Sequence, residues 1–398
     1  MIQFNFDSFC CGCSSCFNSC PVGAITMIPN AEGFLMPVID SCKCINCNKC
    51  NQVCPHLNID QSILGRRVDN LREKPAYLYY SLASDRVDSA SGGFVFDLMK
   101  VVIEQGGYIC GCVWDDNLVA RHIVSNSMSD LKRMQSSKYV QSNIGSCYSE
   151  IKELLRQRKR VAFCGTPCQT AGLKTFLGKW AQSDLLVSVS LICHGASSPL
   201  VWEKYKNSLE KKYNATMVGC NMRDKQSKGY SYSFVRYTFK RNDSIQEKCF
   251  EKSWPTYLND PYIFLFTDNL FLRHCCSHCD FKAERSEADI IVGDFFASIK
   301  GAGNQGCSSL ICLTEKGNGM TTILEGVLKK ITANEVINVN NMIYQSIVEH
   351  PLRFTFFENI YLSKDVIALL TEYLPFRFKI KKILAKVGLF DFVRNLLK

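Results

Sequence analysis

Eight cysteines within the first 57 residues carry the spacing most able to do chemistry. Cys10, Cys13, Cys16 and Cys20, followed by Pro21, form C-x2-C-x2-C-x3-C-P, and Cys44, Cys47, Cys50 and Cys54, followed by Pro55, repeat it. Thiolates at this spacing hold [4Fe-4S] cubes, which pass single electrons. Two alternatives use the same residue type: disulfides, or tetrahedral zinc on paired C-x2-C units. Zinc needs only the pairs. Here each pair is extended to a third and a fourth cysteine, in the same order twice, with a proline after each run.

The repeat resembles the two-cluster bacterial ferredoxins, in which the fourth cysteine of each run reaches across to the other cube. That crossing assigns Cys10, Cys13, Cys16 and Cys54 to one cluster and Cys44, Cys47, Cys50 and Cys20 to its partner. Between the runs, apolar stretches 24–28 and 34–39 flank Asn30-Ala31-Glu32-Gly33, which reads as a β-hairpin. The module is expected over residues 1–57, with a polar linker over 58–75.

With 398 residues there is room for a large body beyond the module. The 46% hydrophobic and 21% charged composition is that of a globular protein, without an apolar run long enough for a bilayer. Residues 1–9 lack the basic start and apolar core of a signal peptide, so the expectation is a cytoplasmic chain. Its 23 cysteines then point to a reducing compartment and to metal ligation rather than to a disulfide scaffold. The net charge of +10 is uneven, with seven basic residues against Asp391 over residues 376–398. Leu, Ile and Phe interleave them. The segment reads as a basic amphipathic helix lying on the inner membrane face or on a partner, or as a helix packed on its own domain with a solvated basic face. No nucleic-acid reader motif accompanies the charge, and no nucleic-acid partner is expected.

From residue 76 the pattern alternates strand and helix, predicting an α/β body behind the ferredoxin-like module. Strands are expected over 76–83, 108–114, 161–164, 185–192 and 230–239, and helices over 94–104, 146–158, 169–177, 199–212 and 261–272. Strand 161–164 runs into Gly165-Thr166-Pro167-Cys168, and strand 185–192 into Cys193-His194-Gly195. In a parallel sheet these loops share the carboxyl edge, where ligands bind. Cys276-x-x-Cys279 would complete a four-thiolate set with Cys168 and Cys193.

The motifs of the body resemble the beta-subunit family of coenzyme F-420 hydrogenases and dehydrogenases, iron–sulfur flavoproteins of archaea and bacteria. The resemblance rests on Ser91-Gly92-Gly93, Ser137-Lys138-Tyr139, Gly165-Thr166-Pro167-Cys168-Gln169-x-Ala171-Gly172-Leu173-Lys174, Ile192-Cys193-His194-Gly195, Cys276-x-x-Cys279 and Asp289-Ile290-x-Val292-Gly293-Asp294-Phe295. It divides the body into an N-terminal part, 76–155, and a C-terminal part, 156–345, that holds the central site, with a helical basic tail over 346–398. It implies a third [4Fe-4S] cluster on Cys168, Cys193, Cys276 and Cys279, with FAD beside it. The eleven other cysteines, Cys11, Cys42, Cys110 and Cys112 among them, are left as packing thiols, with Cys275 a substitute for Cys276 whose spacing to Cys279 is one residue too long.

The flavin residues it implies are Ser91, Gly92, Gly93, Lys138, Thr166 and Asp294. Ser91-Gly92-Gly93 would let backbone amides meet a pyrophosphate, or is an ordinary helix cap. Lys138 would pair with a phosphate or lie near the flavin ring, or is a surface lysine. Asp294 would hold a ribityl or ribose hydroxyl, or cap the next turn. His194 is the catalytic candidate as a proton donor during flavin reduction, or is a structural histidine bonded to its loop.

The function so implied is an oxidoreductase relaying electrons between a ferredoxin-type donor, or another redox protein, and a small-molecule hydride acceptor or donor. A deazaflavin is the family precedent, and a sugar or cell-envelope precursor in polysaccharide synthesis is a second candidate. The rivals are an electron-transfer subunit without turnover of its own, and a scaffold recruited by its basic tail.

Overall fold

A hairpin stands between the two cysteine runs. Strand β1 (Ile25–Pro29) pairs antiparallel with β2 (Leu35–Ile39), in register from Ile25 opposite Ile39 to Pro29 opposite Leu35. Asn30 Oδ1 closes the turn by accepting the amides of Glu32 and Phe34 at 3.1 and 2.9 Å, as an Asx turn does. The tip is bound to the body. The Glu32 carboxylate accepts both terminal nitrogens of Arg353, at 2.7 and 2.5 Å, and Ser198 Oγ donates to the Glu32 carbonyl at 2.5 Å. Such bidentate pairing fixes orientation as well as charge. The computed structural model describes residues 9–58, 70–226, 229–230, 234–241, 249–255, 260–297 and 299–376. Residues 59–69 of the expected linker and 377–398 of the expected basic helix lie outside these.

The body is a mixed sheet of eight strands. Its first members in the chain are β3 (Ala76–Tyr80), β4 (Tyr108–Trp114), β5 (Ala120–Ser125), β6 (Val161–Gly165) and β7 (Leu186–Leu191). A separate antiparallel sheet follows, of β8 (Ala215–Asp224), β9 (Phe234–Arg241) and β10 (Cys249–Pro255). The main sheet then resumes with β11 (Ile290–Asp294), β12 (Ser308–Cys312) and β13 (Val327–Ile331), in the order β13-β3-β12-β11-β7-β6-β4-β5. β4, β6, β7 and β11 run parallel, and antiparallel partners flank them on both sides.

The parallel strands are buried on both faces, as their apolar runs require. Alternate residues serve opposite sides. Ile109, Ala162, Val187 and Val189 pack with helix Phe94–Glu104, whereas Cys110, Val161, Phe163 and Leu186 pack with helices Cys147–Arg156 and Pro167–Leu177. Helices Arg353–Leu362 and Val366–Glu372 bury Phe356, Phe357, Ile360, Leu369 and Leu370 in the same cluster as Trp202, Tyr205 and Tyr262. The chain is therefore packed into the body as far as Leu374. Among the described residues no helix is long and apolar enough to cross a membrane.

Two motif residues turn out to hold the fold. Lys174, on helix Pro167–Leu177, pairs with Asp289 at 3.5 Å, their side chains only 5% and 2% exposed. Asp289 also accepts the amide and hydroxyl of Ser188 on β7, at 2.9 and 2.7 Å. Burial works to raise the Asp289 carboxyl, but Lys174, Lys316 and the Ser188 bonds outweigh it and hold it below its ordinary value. Asp289→Asn strands Lys174 and is expected to cost about 3–5 kcal/mol, the range for breaking a buried pair. An anaerobic urea titration checks this. Because the carboxyl is depressed on folding, its contribution is full above the unfolded value near pH ~4 and is lost as pH falls through the lower folded value, so the gap between wild type and variant closes in acid.

Candidate metal centres

The cysteine runs fold as two copies of one turn. Left-handed residues flank the second cysteine of each run: Gly12 and Ser14, at φ 67° and 64°, around Cys13, and Asn46 and Asn48, at 53° and 61°, around Cys47. Ser14 and Asn48 then begin the short helices Ser15–Ser19 and Lys49–Gln52. Such reversals turn successive amides toward the enclosed space, a cradle for negative charge. The Gly12 amide donates to Cys10 Sγ at 3.4 Å, and Ala24 to Cys20 Sγ at 3.2 Å.

The thiols sort into two clefts in the crossed sense. Cys10, Cys13, Cys16 and Cys54 line one of about 500 Å³, with Met27, Pro37 and His56. Cys20, Cys44, Cys47 and Cys50 line another of about 400 Å³, with Ile25 and Ile39. No disulfide joins any of the 23 cysteines. Tetrahedral zinc would need its thiolates about 3.8 Å apart, from Zn–S bonds of about 2.3 Å. Among the described residues no three Cys, His, Asp or Glu side chains converge on a point suited to one metal ion.

A third set gathers at the carboxyl edge of the sheet. Cys168 lies in the first turn of helix Pro167–Leu177 after β6, Cys193 follows β7, and Cys276 and Cys279 come from the turn around His274–His278. Burial pushes the Cys193 thiol well up, with Cys276, Cys168 and Cys279 adding to it. Burial likewise raises Cys279 to about 12, with Cys168 and Cys276 again contributing. Cys276 is drawn down to about 7, first by a hydrogen bond from Cys275 and also by the Ala196 amide at 3.4 Å. Cys168, Cys276 and Cys279 pack in one cluster with Cys11, Cys13 and Phe281.

Cys11, read from sequence as a packing thiol, connects two of these sets. It packs in one cluster with Cys13 and Cys168, and this contact lowers the thiols of Cys13 and Cys168 while its own is raised. Gly172 makes the approach sterically feasible. A Cβ there would lie 2.8 and 2.9 Å from Cys13 Cβ and Sγ and 2.7 Å from Ser15 Oγ, which donates to the Gly172 carbonyl at 2.7 Å. Thr166, expected among the flavin residues, caps this helix. Its side chain and that of Gln169 form a reciprocal capping box, and its hydroxyl lies 3.2 Å from Cys168 Sγ.

The remaining candidates meet around the end of β8. Gly92 is wedged between β3 and β12, where a Cβ would lie 2.2 Å from the Tyr79 carbonyl, and its amide donates to Ser308 Oγ at 3.1 Å. Gly93, at φ 90°, starts helix Phe94–Glu104. Ser91 Oγ donates to the Cys307 carbonyl at 2.7 Å. The Ser91 carbonyl accepts Lys225 Nζ at 2.7 Å, and Lys225 is pulled down to about 7 by burial, then by Arg86 and Arg223. Asp294 pairs with Arg223 at 3.1 Å, and Arg223 lies over the Tyr230 ring at 5.2 Å.

Lys138 is half-buried. Its ammonium folds back on the carbonyls of Arg133, Gln135 and Ser136, at 2.9, 2.7 and 3.3 Å, and burial lowers it to about 8. His194 sits against Phe266 at 5.3 Å, its pKa depressed by burial. The sequence reading missed Cys11, Arg223, Lys225 and Arg273. Arg223 and Lys225 had a local signal, a basic pair at the end of a strand, whereas the other two are placed by contacts remote in the chain.

Residues 158–339 match the family model for the C terminus of the coenzyme F420 hydrogenase/dehydrogenase beta subunit, and residues 9–58 match the 4Fe-4S dicluster domain. The chain is 21% identical over 198 residues to the F subunit of the F(420)H(2) dehydrogenase of Methanosarcina mazei, covering 46% of this chain and 53% of that protein. It is 28% identical over 168 residues to the coenzyme F420-dependent sulfite reductase of Methanocaldococcus jannaschii, covering 42% of this chain and 24% of that one. The chain therefore spans about half the length of the first and a quarter of the second. Among solved structures, a chain of the F420-reducing [NiFe] hydrogenase complex from Methanosarcina barkeri aligns at a TM-score of 0.42 and 15% identity, over 74% of this chain and 96% of that one.

Proposed function

From a chain whose residues 158–339 belong to the coenzyme F420 hydrogenase/dehydrogenase beta-subunit family, and whose residues 9–58 form a 4Fe-4S dicluster domain, we propose an iron–sulfur flavoprotein oxidoreductase. It takes single electrons from a ferredoxin-type redox protein and gives or receives a hydride at a small-molecule partner. Cys10, Cys13, Cys16 and Cys54 hold one cube, Cys20, Cys44, Cys47 and Cys50 a second, and Cys168, Cys193, Cys276 and Cys279 a third. FAD, when bound, supplies the conversion between one-electron and hydride chemistry.

The observation that carries this reading is the packing of Cys11 and Cys13 in one buried cluster with Cys168, Cys276 and Cys279. It makes the first and third sets neighbours, with Gly172 keeping helix Pro167–Leu177 close enough. Around the end of β8 the chain's own groups suit an anionic dinucleotide. Lys225 and Arg223 supply positive charge beside Ser91 and Asp294, and the helix starting after Gly93 presents amides. His194 is the proton-handling candidate. Burial favours its neutral ring, while hydrogen bonds to the Asn269 side chain and the Phe266 backbone favour the protonated one.

The two curated relatives are named for coenzyme F420, so a deazaflavin is the first hydride partner to test, ahead of a polysaccharide precursor. Anaerobically purified protein is reduced with ferredoxin and titrated with coenzyme F420 while the flavin and deazaflavin absorbances are followed. Bound flavin that is bleached by ferredoxin and recovers on adding the coenzyme supports the reading. Iron-loaded protein without flavin leaves an electron-transfer subunit in its place.

A further inference from the structure

Arg273 is buried, with 4% of its surface exposed. Its Nε donates to the Cys10 carbonyl at 2.8 Å, Nη2 to the Leu35 carbonyl at 3.1 Å and the Met36 sulfur at 2.7 Å, and Nη1 to Gln141 Oε1 at 2.7 Å. The plane lies over the Phe34 ring at 5.2 Å. Its backbone belongs to the third thiol set, donating to the Ala196 carbonyl at 2.8 Å and accepting the Cys276 amide at 3.0 Å. One side chain therefore spans from the turn of Cys276 to the turn of Cys10.

Among the described residues no carboxylate pairs with it. A buried guanidinium held only by carbonyls, an amide and a thioether is costly unless negative charge lies nearby. The ionisable groups acting on it are the thiols of Cys10, Cys275, Cys11 and Cys276, which belong to or adjoin these two sets. The second set, by contrast, has the exposed Lys49 at its cleft, a charge largely screened by solvent.

We propose that Arg273 is a positioning residue that biases electron flow inward, its buried charge raising the reduction potentials of the centres at Cys10/Cys13/Cys16/Cys54 and Cys168/Cys193/Cys276/Cys279 above that of the centre at Cys20/Cys44/Cys47/Cys50. This rests on the three-cluster reading above. In the step concerned, one electron leaves the outer centre, which is oxidised, and enters the inner centre, which is reduced, with no atom or proton transferred. Each reduction adds one negative charge, and a fixed cation stabilises that charge most where water is excluded.

The test is an anaerobic EPR-monitored redox titration of wild type, Arg273→Gln, Arg273→Lys and Gln141→Glu. Arg273→Gln is expected to lower the one-electron reduction constants of the two inner centres at least about tenfold, about 59 mV each, and to leave the outer centre unchanged. Arg273→Lys, which keeps the charge but loses the fork, retains the wild-type order. Should Arg273→Gln fail to fold, Gln141→Glu decides, since a carboxylate against Nη1 cancels the charge while giving the guanidinium a partner. Inner potentials that stay put in both Arg273→Gln and Gln141→Glu overturn the proposal. A wild type without three low-potential centres overturns instead the cluster reading on which it rests.

Discussion

Cys54→Ser is expected to empty the centre at Cys10, Cys13 and Cys16 and to spare the one at Cys44, Cys47 and Cys50, although Cys54 follows the latter in sequence. The reason is the fold of the runs. Cys54 lines the cleft of the first run and Cys20 that of the second, so each fourth cysteine serves the other run's cube. The loss should be about four of about twelve irons, with one EPR signal disappearing and two remaining. Cys20→Ser mirrors it. Were Cys54→Ser to remove the signal that Cys44→Ser also removes, the crossing would be wrong. The two variants together therefore identify the partners of each fourth ligand.

The second large effect is expected at Gly172. A methyl there meets Ser15 Oγ, Cys13 Cβ and Cys13 Sγ at 2.7–2.9 Å, all of them held in a buried turn. Overpacking of this kind costs about 1–3 kcal/mol. The relief available is to push helix Pro167–Leu177 away from the module, which carries Cys168 away from Cys11 and Cys13. Gly172→Ala should weaken the magnetic coupling between the first and third centres in EPR and slow electron passage to the third after rapid mixing with a reductant. Gly319→Ala is the control: nothing lies within 4 Å of the added methyl on helix Glu315–Thr322, so the centres should be undisturbed. Equal behaviour of the two variants would remove Gly172 from the electron path.

Much of this arrangement is legible in the chain itself. The cysteine runs declare their clefts because the ligand spacing is local, and helix Phe94–Glu104 and strand β4 follow from periodicity and from the Gly106-Gly107 break. The loops carrying Cys168 and Cys193 were placed together by one topological rule: strands β6 and β7 are parallel neighbours, so their carboxyl ends meet. The start of helix Pro167–Leu177 at Pro167 rather than Gln169 was also written locally, in a threonine, a following proline and a glutamine three residues on.

Other features have no local signature. β3 is paired with β12, over two hundred residues away, and no pattern in either strand names its partner. β8 carries register shifts between Met217 and Gly219 and between Asn221 and Asp224, which break the alternation a strand would otherwise show. Expected helix 261–272 ends at Thr267, and Asn269 follows at φ 68°, a left-handed turn that apolar composition conceals. Cys11 and Arg273 look like a spare thiol and a surface cation until the module docks, because their partners lie across the chain. Burial of a charge and of a thiol by tertiary contact is what periodicity cannot report.

The most direct test of the three-cluster account is the iron and acid-labile sulfide content of anaerobically purified protein, with zinc measured in the same sample. Three cubes predict about twelve of each per chain and a brown colour that bleaches on reduction. Colourless protein carrying zinc and no labile sulfide would contradict it.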